Sequence, residues 1–288
     1  MKVSNELFDL EAFLNRWVQR LAPAWYANQA VRQIALSNMG TLNPSSYLAH
    51  RWMSLASIIS ACEQGLPEKH PIFAPLHPLL QKLLVSKKFD RLLNLTTITG
   101  VEISSQDDKD YASLAHWAIA QPNLPPCSTA DEFDTLLNQH FGKGSTPIKV
   151  IYREWDGRYY WINREEPVVV AAVAKFATEK QREARVKAEI HVESVHEATL
   201  ERIRQQFWWL LLAREQADAI HALLNAAHLP VAVTSFESRR DDLAFLIAPK
   251  HNPRLNRILL TLIQNRSSQE VVEFGRFLSR HHYAFRNQ

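Results

Sequence analysis

Asp156-Gly157 lies between two runs rich in β-branched and aromatic residues, 148–155 and 158–163, and this commits the second half of the chain to a hairpin in a small antiparallel or mixed sheet. Glycine accepts the positive φ of a tight turn at no steric cost, so a two-residue hairpin loop is expected. Pairing across such a loop sets Trp155 opposite Arg158 and Arg153 opposite Tyr160. Those four then share one face, and Tyr152, Tyr159 and Trp161 share the other.

Local signals continue to the C-terminus. Pro167 suits the first position of a helix reaching Arg185, and Val186, Ala188, Ile190 and Val192 alternate with Lys187, Glu189, His191 and Glu193 as a half-buried strand requires. Ser194 and Glu197 have capping-box spacing ahead of a helix that carries Leu200, Ile203, Phe207, Leu210 and Leu211 inward and runs, kinked, to Ala227. Residues 231–236 and 243–248 read as a second hairpin. Asn252-Pro253 starts a helix with Leu255, Ile258, Leu259 and Leu262 on one side, and Ser267 to Glu270 opens a last one.

The first half reads differently. Leu7, Leu10, Phe13, Leu14, Val18 and Leu21 recur three and four apart, a helix from Asn43-Pro44 passes Leu55 and Ile58 toward Cys62, and Leu79 to Leu84 resumes the pattern after prolines at 67, 71, 75 and 78. Residues 95–110 suggest a short strand or ordered loop, followed by helices over 110–119 and from the Ser128-Thr129 caps to Phe141. Gly142 to Ser145 is the expected boundary. The fold class is therefore α+β, with a helical N-terminal bundle (1–142) followed by a smaller α+β domain (143–288) bearing β-hairpins and C-terminal helices.

Composition excludes several classes. With 46% hydrophobic and 22% charged residues the chain belongs with folded globular proteins. The longest apolar stretches, 207–213 and 168–174, fall far short of the ~20 residues of a membrane-spanning helix. The N-terminus lacks the pattern of a secretory signal. Cys62 and Cys127 have no cysteine or histidine at ligand spacing, which argues against a disulfide framework or a zinc site, and a reducing, cytoplasmic setting is expected.

Charge is unevenly placed. Residues 250–288 hold seven basic and two acidic side chains, a net of +5 against +3 for the whole chain, which points to a negatively charged partner. No phosphate-cradling glycine loop, Gly-x-Ser-x-Gly elbow or His-Glu-x-x-His pair is present. Glu189, His191 and Glu193 share a strand face and, with His196, form the one candidate metal or acid/base cluster, although a solvated polar face explains the same alternation and is preferred.

Arg153, Trp155, Arg158 and Tyr160 have the aromatic and cationic character of a nucleic-acid stacking platform, with ordinary packing as the first reading. Arg254, Arg257, Arg276 and Arg280 would add phosphate contacts if the last two helices formed a helix-turn-helix, against a plain helical hairpin as the simpler form. Phe207-Trp208-Trp209-Leu210-Leu211-Leu212 is apolar all round and reads as a core helix or, failing that, a partner-facing patch. The functional expectation is a non-catalytic binding or assembly subunit without cofactor or metal, contacting DNA or RNA, or other protein subunits, through those eight residues, and not a membrane. A metal-dependent nuclease or hydrolase and a protein-binding scaffold are the alternatives.

Overall fold

The computed structural model describes residues 17–18, 21–33, 54–67, 70–101, 113–162, 167–236, 242–264, 270–280 and 285. Helices and sheets are mixed, as the α+β expectation has it. The stripe from Leu7 to Leu14 and the helix start at Asn43-Pro44 lie outside the described residues, as does the Ser267 end of the last capping box.

Two compact units emerge. Unit 1 comprises residues 1–42, 54–83 and 196–279, and unit 2 comprises 43–53, 84–195 and 280–288. The division does not follow residue 142, because Gly142 to Ser145 joins two elements of the same unit. Unit 2 is instead largely an insertion between Leu83 and His196, where the His196 N–H donates to the Leu83 carbonyl at 2.8 Å and closes the two crossings side by side.

In unit 2 a five-stranded sheet is built from β1 (Leu84–Asn94), β2 (Ile98–Val101), β3 (Ile148–Arg153), β4 (Arg158–Trp161) and β5 (Arg185–Val195), in the order β1-β5-β3-β4-β2. The 84–94 strand replaces part of the helical bundle expected there. Its alternation is masked by charged residues because, at a sheet edge, only Leu93 is fully buried. Helices α4 (Leu114–Ile119), α5 (Ala130–Phe141) and α6 (Pro167–Glu179) pack into one core with Val150, Tyr152, Trp161, Val186, Ala188, Ile190 and Val192. The alternation read for 186–193 thus orients β5, with its even-numbered side chains in that core. The α5 start has the expected capping box, Thr129 with Glu132.

Unit 1 centres on a four-stranded sheet of β6 (Phe207–Ala213), β7 (Ala232–Ser235), β8 (Leu243–Pro249) and β9 (Val272–Glu273), ordered β7-β8-β6-β9. Its helices are α1 (Pro23–Gln33), α2 (Leu55–Gly65), α3 (His77–Gln81), α7 (Glu197–Gln206), α8 (Arg214–Ala226), α9 (Pro253–Gln264) and α10 (Phe274–Arg280). The long helix expected over 194–227 is therefore α7, a strand and α8. Six apolar residues without a polar face suit a strand buried on both sides at least as well as a helix.

Both faces of that strand are in fact covered. Leu210, Leu212, Leu246 and Ala248 share a core with Ala27 of α1, Ile220 of α8 and Leu259 of α9. Trp209 and Phe245, of opposite parity, pack edge-to-face on Phe274 of α10 at 4.8 and 4.9 Å between ring centroids. The capping box at Ser194 does not form either: Ser194 is the tenth residue of β5, and the cap of α7 is His196 without a side-chain capping bond. Its ring nitrogen instead meets the Thr199 hydroxyl at 2.7 Å.

Candidate functional site

The first hairpin closes differently from the two-residue loop. The pairs are Arg153↔Arg158, Tyr152↔Tyr159 and Ile151↔Tyr160, a register two residues away from the expected one, with a four-residue loop of 154–157. The Arg153 carbonyl accepts from the N–H groups of Asp156 (3.3 Å) and Gly157 (2.8 Å), and Gly157 takes φ 71°. A shift of two preserves the faces, so Arg153, Arg158 and Tyr160 still lie together, opposite Tyr152, Tyr159 and Trp161.

Asp156 decides the longer loop. One carboxylate oxygen accepts from the Arg158 N–H at 3.0 Å and the other from the Tyr160 hydroxyl at 2.6 Å. Burial pushes the Asp156 carboxyl up to about 6 even though Tyr160 and Arg153 favour its charged form. The Tyr160 hydroxyl is driven well above its ordinary value by burial and by Asp156.

This arrangement is closed to a nucleic acid base. Arg153 is only 1% exposed, and Trp155 and Tyr160 are buried with it. The Arg153 guanidinium lies 4.7 Å from the Tyr160 ring centroid, and its Nε donates to Glu193 at 3.0 Å. Of the four hairpin residues only Arg158 is partly exposed. A stacking platform needs an open ring face, and packing has taken these.

On the same sheet face, Glu189 accepts from Lys88 at 3.2 Å and lies 2.6 Å from the His191 imidazole; these two neighbours hold its carboxyl below the usual range, His191 foremost. Glu193 is committed to Arg153. Among the described residues no group of three His, Cys, Asp or Glu side chains is placed to hold an ion, so Glu189, His191 and Glu193 do not converge as the hydrolase alternative requires.

The C-terminal arginines are separated as well. Because α9 packs on Leu246 and Ala248 whereas Phe274 of α10 packs edge-to-face on Phe245, the two helices cover opposite faces of the sheet. Arg254 and Arg257 are therefore exposed on one side and Arg276, with Arg280 at the end of α10, on the other. A helix-turn-helix is excluded, and β9 intervenes between the helices. Phe207 and Trp209 are buried in β6 and Trp208 is half-buried, so little of the aromatic surface named for the scaffold alternative is exposed.

The corner between β8 and α9 gathers what remains. The Lys250 ammonium donates to the Arg204 carbonyl at the C-terminal turn of α7 and lies 4.0 Å from the Trp208 ring centroid, so it satisfies a helix-end acceptor and packs on an aromatic face. Burial lowers its pKa. Trp208 Nε1 in turn donates to Asn256 at 2.8 Å, and the Asn252 side chain caps α9 by accepting from the N–H groups of Arg254 and Leu255. A groove of about 530 Å³ opens beside it, lined by Pro71, Ile72, Gln206, Phe207, Lys250 and His251 among others.

In sequence Lys250 is one charge among seven and Asp156 a turn former. Their signals are faint: a lysine between an apolar strand and an Asn-Pro helix start, and an aspartate four residues before a tyrosine.

The sequence matches, over residues 88–287, the model described as a family of unknown function, DUF6685. The chain belongs to that family. The DUF6685 match covers most of unit 2 and all of unit 1 from α7 onward, including both the hairpin cluster and the β8–α9 corner. No curated protein and no solved structure matches the chain. Among the described residues no helix is long and apolar enough to cross a membrane.

Proposed function

We propose that this DUF6685 chain is a non-catalytic binding or assembly protein that meets a polyanion, nucleic acid in the first instance, at the β8–α9 corner of unit 1. The observation that carries this reading is the state of Arg254 and Arg257. Both are exposed, neither has an ion-pair partner among the described residues, and α9 contains no acidic residue. They sit on the first two turns of the helix, where the positive end of the helix dipole disfavours cations, so helix stability does not account for them. An anion would be attracted by both charges and the dipole. Lys250 and His251 border the adjoining groove, and the Lys250 ammonium adds its charge to the same corner.

Support for a non-catalytic role comes from the closed hairpin cluster, in which Arg153, Asp156 and Tyr160 are all buried, the Tyr160 hydroxyl donating to Asp156 and Arg153 Nε to Glu193. The cytoplasm is the proposed setting, supported by two cysteines that are both free thiols.

Fluorescence anisotropy with labelled single- and double-stranded DNA and RNA, titrated across a salt series, tests the reading. Affinity should fall steeply with salt, and replacing Arg254 and Arg257 with alanine should reduce the slope of log K against log salt by about two. Absence of salt-dependent binding, or an unchanged slope in the double variant, refutes it.

A further inference from the structure

The longest strand at a sheet edge is β1, eleven residues outermost in unit 2 and paired only with β5 among the described residues. The direction of its free backbone groups follows from the register. Leu84 faces Val195 and Asn94 faces Arg185, and just beyond each end the same register is hydrogen-bonded: His196 N–H to the Leu83 carbonyl at 2.8 Å and Leu95 N–H to the Ala184 carbonyl at 3.0 Å. Bonded and non-bonded pairs alternate along an antiparallel ladder. The odd residues from 85 to 93 therefore bond to β5, and Leu84, Ser86, Lys88, Asp90, Leu92 and Asn94 aim their N–H and C=O groups outward.

We propose that this edge pairs with the β1 edge of a second copy of the chain, antiparallel about a two-fold axis at Phe89, to give a continuous sheet across the dimer. A two-fold axis perpendicular to the sheet keeps each residue on its own face, so the axis must pass through a single residue of the strand. Centred on Lys88 it would set Lys88 against itself, and centred on Asp90 it would set Asp90 against itself. Centred on Phe89 it sets Lys88 opposite the partner's Asp90 twice over, and Ser86 opposite Leu92. All four residues are exposed, Leu92 to 58%.

With Leu84 opposite Asn94, six pairs fall at outward-aimed positions and each exchanges two backbone bonds, about twelve in all. Lys88 would then lie between its own Glu189, already 3.2 Å away, and the partner's aspartate. Lys87 and Arg91 meet on the opposite face, a like-charge pair that the Lys88 and Asp90 contacts must outweigh; the Arg91 guanidinium lies over the Phe285 ring of its own chain at 5.7 Å. Strand edges are commonly guarded by lysine, but a guard has no reason to place opposite charges, Lys88 and Asp90, at the outward-aimed positions on either side of one residue.

Sedimentation equilibrium of the full chain at tens of micromolar provides the test, with circular dichroism to confirm folding. The wild type should show twice the 33.1 kDa chain mass. Leu92→Pro removes an outward N–H without touching the β5 ladder and should yield a monomer. Asp90→Lys and Lys88→Asp, each setting like charges opposite one another, should each weaken the dimer by about tenfold, and the combination Lys88→Asp with Asp90→Lys should restore it. A wild-type monomer would leave the edge to some other strand and overturn the proposal. So would a dimer indifferent to Leu92→Pro, or a charge-swapped pair that fails to recover.

Discussion

Replacing Asp156 with asparagine isolates the energetic consequence of burying a carboxylate beneath the hairpin. The side chain is 8% exposed, and its pKa is raised from 3.8 to about 6. A group that holds its proton more tightly in the folded than in the unfolded chain adds stability that is fully present below the unfolded pKa and is lost as pH climbs through the folded one. Roughly two pKa units correspond to about 3 kcal/mol, so the ionised Asp156 at pH 7 costs about that much relative to its neutral form. Asparagine keeps the geometry. Its carbonyl can accept from the Arg158 N–H, and its amide can donate to the Tyr160 oxygen, replacing the two contacts seen at 3.0 and 2.6 Å.

The assay is urea unfolding of both proteins at several pH values from 4 to 7, followed by tryptophan fluorescence, to which the buried Trp155 beside the loop contributes. The difference between variant and wild type cancels every other titrating group. It should move in favour of Asp156→Asn by about 2 kcal/mol between pH 4 and 7, with a slope of up to about 1.4 kcal/mol per pH unit. A difference that stays flat, or that shifts toward the wild type as pH rises, refutes the claim that desolvation dominates over the Tyr160 and Arg153 contacts.

Two further outcomes test the packing. Gly100→Ala would place a methyl 2.1 Å from a ring carbon of the buried Tyr160, so it should cost about 1–3 kcal/mol in thermal or chemical unfolding, and a neutral result contradicts that close approach. Burial pushes the Cys62 thiol up to about 12 against a hydrogen bond from Thr234, whereas Cys127 is partly exposed; an Ellman titration should therefore find one reactive thiol in the native chain and two in denaturant.

Much of the local structure was legible because its causes are local. Thr129 and Glu132 cap α5 through bonds within one turn, Pro167 starts α6, and Asn252 with Pro253 starts α9, each as the residue types require. The alternation of 186–193 orients β5 because a two-residue period admits one buried face. The two faces of the first hairpin were likewise readable, but its register was not: the Asp-Gly pair permits a two-residue loop, and the longer one is chosen by a carboxylate that reaches the Arg158 N–H and the Tyr160 hydroxyl.

Tertiary structure decided everything that depends on what lies across a layer. Phe207 to Leu212 carries no periodicity to separate strand from helix, and it is a strand because Leu210 and Trp209 find apolar partners on opposite sides of the sheet. The same alternation sends α9 and α10 to opposite faces, which divides a basic run that is continuous in sequence, with Arg254 and Arg257 exposed on one side and Arg276 and Arg280 on the other. Arg153 and Tyr160 show the reverse, since residues that composition offers as a binding surface are enclosed with Arg153 Nε donating to Glu193 and the Tyr160 hydroxyl to Asp156. Backbone preferences and caps are written within a few residues, whereas burial is a property of neighbours contributed by distant parts of the chain.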